Sequence, residues 1–278
     1  MTGRDRLRPS YKAAFLLFLG VSLLVTLLPF AWMISTSFKS PEEILTRTPT
    51  LAPQKPTIEH YRNLFAAAHL GQSFVNSLIY AVGLTVLSLL LNAMAAYAFA
   101  KLQFRGREKL FALLMLTMMV PGQVTMMPVF LILKSFGLLN SFGGLIIPGL
   151  AGVFAIFMLR QFMLGIPDEI LEAARIDGCS ELRIFFTIVI PLSRPALATL
   201  AIFTFIGAWN EFLWPLIIML REDRHTLPVA LANLNGQYNT DWGLLMAGSV
   251  LVVIPVILVF LLAQRHYIEG ISAGAVKE

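Results

Sequence analysis

The chain has 278 residues, of which 57% are hydrophobic and 13% charged, well below the share of about 25% charged residues in soluble domains. That deficit argues against a soluble enzyme or adaptor. The net charge of +5 does not indicate a nucleic-acid partner, because the basic residues flank apolar stretches instead of interleaving with aromatics. The lone cysteine, Cys179, leaves no intrachain disulfide to form.

Taken in order, Arg4, Arg6, Arg8 and Lys12 precede an apolar stretch from Ala13 to Phe38. Its 26 residues exceed the roughly 7 to 15 of a signal-peptide core, so it reads as a retained anchor. Residues Lys39 to Leu70 carry Pro41, Pro49, Pro53 and Pro56 and predict an extended external crossing with a short amphipathic helix near Ile58 to Phe65. Five more apolar stretches follow, Gly71–Ala100, Leu110–Leu133, Ser135–Leu159, Pro195–Leu220 and Trp242–Gln264. Each reaches the roughly 20 residues that cross a hydrocarbon core of about 30 Å as a helix. None alternates polar and apolar residues as a membrane barrel strand would.

An all-α integral membrane protein with six transmembrane helices is therefore expected, with both termini on one side. Lys and Arg decide which side. An inside N-terminus places 14 of them in the inner segments, the first being Arg4 and the last Lys277, and 7 in the outer ones (Lys39, Arg47, Lys55, Arg62, Lys134, Arg221, Arg224), so both termini are expected to be cytoplasmic. The organisation read from this is a cytoplasmic N-terminus (1–12), one membrane domain (13–264) and a cytoplasmic tail (265–278). The loop from Arg221 to Asp241 reads as external and polar.

The cytoplasmic loop 165–194 is the most ordered by pattern. Pro167 followed by Asp168 and Glu169 starts a helix of about ten residues that Gly178 stops. Ile166, Ile170, Ala173 and Ala174 fall on one face, opposite Glu169, Glu172 and Arg175. A second helix starts near Ser180 and runs through Phe185, Phe186, Ile188 and Ile190 to Pro191. This pair is a docking surface.

Glu172-Ala173-Ala174, Asp177-Gly178 and Ile190-Pro191-Leu192 with Pro195 resemble the EAA loop of binding-protein-dependent ABC importer permeases. Cys179 stands where that family often has alanine. The stretches Trp209-Asn210-Glu211-Phe212-Leu213-Trp214-Pro215-Leu216 and Gln264 to Gly270 are similar to the second permease of sugar and glycerol-3-phosphate importers, the group of the maltose permease partner. The resemblance implies a MetI-like permease fold and a place in the inner (plasma) membrane of a prokaryote. It implies as partners a second permease, two ATP-binding cassette ATPase subunits and an external solute-binding protein. It makes Glu172, Ala173, Ala174, Asp177 and Gly178 the residues that couple to the ATPase. It also implies that the loop 221–241 reaches into the binding protein and that the tail from Gly270 runs between the ATPase subunits, whereas composition alone reads that tail as a frayed end. The solute implied is a carbohydrate or, alternatively, glycerol-3-phosphate or a glycerophosphodiester. No phosphate loop occurs, so the chain is expected to be no ATPase itself, and no cofactor or metal site is expected.

Glu211 is the one acidic residue in a predicted span, where burial in lipid costs about 2.5 to 3.5 kcal/mol. It is either a structural anchor or, with Asn210, part of the translocation path. Pro215 predicts a kink four residues after Glu211. Met115, Met118, Met119, Met126 and Met127 around Pro121-Gly122 either fill a core or close a gate. His60, His69, His225 and His266 are scattered and form no metal motif. A secondary transporter would call for several intramembrane charges and repeated halves, and an enzyme for a catalytic cluster; neither pattern is present.

Overall fold

A computed structural model describes residues 9–46, 48–66, 70–234 and 241–275. Among the described residues every regular element is helical. In chain order they are α1 (Pro9–Ser37), α2 (Pro41–Ile44), α3 (Glu59–Ala66), α4 (Leu70–Lys101), α5 (Arg107–Thr117), α6 (Gly122–Ser135) and α7 (Phe142–Ile146), the last continued by a 3-10 turn, Ile147–Gly149. Next come α8 (Val153–Leu164), α9 (Asp168–Ile176), α10 (Glu181–Ile184), a π-helical turn Phe185–Val189, α11 (Ile190–Leu192) and α12 (Arg194–Asn210). The chain ends with α13 (Leu213–Ile218), α14 (Leu227–Asn233) and α15 (Trp242–Ala275).

Among the described residues three helical stretches are long and apolar enough to cross a membrane, Tyr11–Ser37, Leu70–Lys101 and Trp242–Leu261. Three bent pairs pass the same criterion together: α5 with α6 at 100°, Phe142–Gly149 with α8 at 47°, and Glu181–Leu192 with α12 at 80°. Six spans are reached when each pair is one span.

Four of the apolar stretches differ from the sequence expectation in where they begin, break or end. The third stretch breaks after Thr117 and restarts at Gly122, because Pro121 is extended (ψ 133°) and disfavours helix in the residue before it. The fourth begins at Phe142, not Ser135, since Gly137 (φ 69°) and Asn140 (φ 57°) are left-handed and turn the chain. It runs on to Leu164. The fifth breaks at Glu211, which is extended (ψ 127°), rather than kinking at Pro215. Pro215 lies in the first turn of α13, where its missing N–H costs least, so the broken hydrogen bond shifts back to Glu211. The last helix continues to Ala275, past the expected end of the apolar stretch at Gln264, so the backbone of residues 265–275 is helical. Residues 276–278 lie outside the described residues.

The chain divides into two compact units, one comprising the described residues of 1–68 and 233–253, the other those of 69–232 and 254–278. In the first, the most apolar window of α1 buries nothing, so its large side chains face lipid or another chain. The loop after it folds back instead of simply crossing. Buried Lys39 stands 4.3 Å from the Trp32 ring centroid and donates to the Thr50 carbonyl, and the His60 Nε2 lies 2.8 Å from the Lys39 carbonyl. The predicted amphipathic helix is α3, which buries His60 and Leu64.

In the second unit α4 packs against α8 and α12. Its buried stripe is mostly small or polar, including Ser73, Asn76, Ser77, Ala81, Thr85, Ser88, Ala93, Ala96 and Ala100, with Leu70, Tyr80, Leu84 and Tyr97 as its larger members. Many of the large apolar residues of α4, such as Val82, Val86, Leu87 and Leu91, point outward. This reverses the soluble-protein pattern: small residues let membrane helices approach closely while bulk faces lipid. The core they build joins Ala93, Ala96 and Tyr97 to Ile156, Leu159 and Met163 of α8 and to Leu200 of α12.

Among the described glycines of this unit, close approach is tightest at α7. A Cβ on Gly144 would lie 2.2 Å from the Leu138 carbonyl oxygen, whereas one on Gly143 would make ordinary contacts from 3.6 Å. Gly144→Ala is expected to destabilise the fold by about 1 to 3 kcal/mol, lowering the unfolding midpoint in detergent, with Gly143→Ala near wild type. Equal midpoints for the two variants would contradict this packing.

Candidate coupling surface and intramembrane cavity

α9 begins after Pro167 with Asp168 and Glu169 in its first turn, where carboxylates favour the positive end of the helix dipole. Gly178 ends it at φ 80°. The Cys179 N–H donates to the Ala174 carbonyl and the Gly178 N–H to the Arg175 carbonyl, both at 3.0 Å, which is the Schellman arrangement. Ser180 then caps α10 by accepting from the Arg183 N–H at 3.4 Å.

Two ties that no local pattern announces fix α9 to the rest of the second unit. The Lys101 ammonium, at the end of α4, donates to the Ile166 carbonyl and to Asp168 Oδ1, both at 2.6 Å, and its side chain is only 3% exposed. This hydrogen bond and charge hold the Asp168 carboxyl below the usual range. Arg175 Nε donates to Glu181 Oε1 at 2.7 Å, which holds the guanidinium even further toward its charged form, and the Tyr97 hydroxyl donates to Glu181 Oε2 at 2.5 Å. The partners of Lys101 and Tyr97 are more than sixty positions away, beyond the reach of any sequence spacing.

The face of α9 turned inward differs from the one expected. Leu171, Ala174 and the preceding Ile166 are buried, while Ile170 and Ala173 are exposed. α9 has apolar residues on both sides, and the ends of its neighbours select the Leu171–Ala174 side. Of the five sequence-predicted coupling residues, Glu172, Ala173, Asp177 and Gly178 remain exposed, and Ala174 packs within this chain. Around them Ile170 is 44%, Ile176 86% and Leu182 61% exposed, an apolar and acidic surface that no other described residue of this chain covers.

Farther along, a cavity of about 370 Å³ is lined by residues that include Tyr80, Gln123, Thr125, Met126, Glu211 and Trp214. Glu211 is half-buried, and its Oε1 accepts from the Trp214 N–H at 3.3 Å, which caps α13. Trp214 is itself anchored by its indole N–H on the Leu145 carbonyl at 3.2 Å. Asn210 is exposed, donates to the Ile206 carbonyl at 2.9 Å and is not among the lining residues, so the structure does not bring it together with Glu211 there. The five methionines fill no core in this chain: Met118, Met119 and Met127 are exposed, and Met115 and Met126 half-buried.

The loop read as polar, 221–241, is partly built into the second unit. Asn76 donates to the carbonyls of Asp223 and His225, both at 3.0 Å, and the Leu227 N–H donates to Ser77 Oγ at 2.7 Å. Leu227, Val229 and Leu231 of α14 are buried. Residues 235–240, the tip expected to reach a partner, lie outside the described residues, as does His69.

Residues 88–272 match the family described as "Binding-protein-dependent transport system inner membrane component". The chain is 36% identical to the arabinooligosaccharides transport system permease protein AraQ of Halalkalibacterium halodurans, over 95% of this chain and 96% of that protein. It is likewise 36% identical to the diacetylchitobiose uptake system permease protein NgcG of Streptomyces coelicolor, over 90% of this chain and 84% of that one. Among solved structures, a chain of a bacterial ABC transporter that imports the acidic polysaccharide alginate superposes with a TM-score of 0.86 at 26% identity, covering 95% of this chain and 99% of the other. The buried core residues from Ala93 to Leu200 and the exposed α9 lie inside the matched region, and the chain belongs to the inner-membrane permease components of binding-protein-dependent ABC transport systems.

Proposed function

We propose that this chain is one of two permease subunits of an ATP-driven carbohydrate importer in a prokaryotic inner membrane, with both termini cytoplasmic. The exposed surface of α9 and α10 carries the reading: Glu172, Ala173, Asp177, Ile170 and Ile176 dock on an ATPase subunit. Ala174, Lys101 and Arg175 hold the docking helix to the membrane helices. Motion imposed by ATP on α9 then reaches α4 through Lys101. Hydrolysis belongs to the two partner ATPases, and an external binding protein delivers the solute near α14. The transport of oligosaccharides by the relatives supports a saccharide as solute. The cavity supports a neutral one over a phosphate ester, because a carboxylate and no Lys or Arg line it among the described residues.

Affinity purification from the native membrane is expected to bring down a different permease and an ATPase, and the reconstituted assembly with its binding protein to take up a radiolabelled neutral oligosaccharide but not glycerol-3-phosphate. Isolation of the chain without an ATPase, or preferential uptake of glycerol-3-phosphate, would overturn the respective parts of this reading.

A further inference from the structure

Three interruptions of apolar helices converge on the cavity beside Glu211. Gly122 and Gln123 follow the 100° break between α5 and α6, Pro148 and Gly149 precede the 47° break before α8, and Glu211 is the extended residue between α12 and α13. Non-helical backbone at membrane depth is stable only where it is buried in protein or lines a wet cavity, and discontinuous helices mark binding sites in transport proteins. The same place holds the acidic residue of the apolar stretches, which must face protein or water. The volume of about 370 Å³ falls within the range of about 300 to 1,000 Å³ typical of ligand sites.

We propose that this cavity is a saccharide subsite supplied by this subunit. Sugar hydroxyls donate to the Glu211 carboxylate, the Gln123 amide donates to and accepts from neighbouring hydroxyls, and the Trp214 ring offers an apolar surface to the sugar's C–H face. The Glu211 oxygen not engaged with the Trp214 N–H supplies the acceptor, so capping α13 and binding a hydroxyl are compatible. Met126 and Val129 complete an apolar wall. This inference rests on the carbohydrate-importer reading above and adds that this permease touches the solute.

The test uses the complete importer in vesicles with its ATPases and binding protein. Glu211→Gln retains an oxygen to cap α13 but removes the charge. It is expected to lower uptake of radiolabelled arabinotriose about tenfold, the effect of weakening a hydrogen bond to a charged group, while ATP hydrolysis stimulated by the binding protein stays within about twofold. In a Cys179→Ala background, Gln123→Cys is expected to react with a charged methanethiosulfonate severalfold more slowly when arabinotriose is being transported. Unchanged uptake in Glu211→Gln, a parallel fall in uptake and ATP hydrolysis, or labelling indifferent to sugar would overturn the subsite while leaving the importer reading intact. Failure of the wild-type assembly to import arabinotriose, diacetylchitobiose or lactose would overturn the carbohydrate reading and the subsite with it.

Discussion

Replacing Gly178 by proline is expected to abolish solute uptake while leaving the chain inserted and assembled. Gly178 adopts φ 80°, and proline is fixed near −65°, so the left-handed turn cannot form. The variant also loses the N–H that donates to the Arg175 carbonyl, one of the two bonds that close α9. Forcing the ring into this turn costs on the order of 3 kcal/mol or more, enough to unwind the end of a nine-residue helix and redirect the chain toward Ser180. Gly178→Ala separates the conformational effect from the lost N–H. Open space surrounds a Cβ there, so alanine meets only the left-handed penalty of about 1 to 2 kcal/mol and should retain part of the activity. Glu172→Lys leaves the turn intact and reverses a charge on the exposed face; it too is expected to lose coupling. Uptake and ATP hydrolysis in vesicles check all three. Wild-type coupling in both Gly178→Pro and Glu172→Lys would remove this loop from the coupling path.

Lys101→Met should have the next largest effect, lowering the stimulation of ATP hydrolysis by the binding protein about tenfold or more. Its side chain is 3% exposed and its ammonium donates to both the Ile166 carbonyl and Asp168, so methionine removes both bonds and leaves the part-buried Ile166 carbonyl without its charged donor, a loss of about 1 to 3 kcal/mol. Asp168→Asn is the informative comparison: its amide oxygen can still accept from the Lys101 ammonium, which also keeps the Ile166 carbonyl, so the effect should be smaller than that of Lys101→Met. The Asp168 carboxyl is held below its ordinary value, so its contribution is present above the unfolded pKa of about 4 and is lost as pH falls through the lower folded value. Coupling should therefore not change near neutral pH through this pair. Equal losses in Lys101→Met and Asp168→Asn, or no loss in the former, would show that the Lys101 tie does not position α9.

The sequence alone determined that the chain lives in a membrane, where its apolar stretches lie within a few residues, and that a helix–glycine–helix pair spans 167–191. Those features are local: membrane insertion responds to about twenty consecutive side chains, and Pro167, Gly178 and Ser180 act within one turn of themselves. Glu211 stood out for the same reason, being a charge within an apolar run. Only the tertiary structure decided which side of α9 is buried, since Ile170 and Leu171 are equally apolar and the choice depends on α4 and α8. It alone tied Lys101 to Ile166 and Tyr97 to Glu181, and brought Gly122, Gly149 and Glu211 to one cavity from three separate stretches. A helix break is written locally by proline, glycine or a charge, but where several breaks meet is set by how small-residue faces such as that of α4 pack, and that packing is a property of the assembled helices.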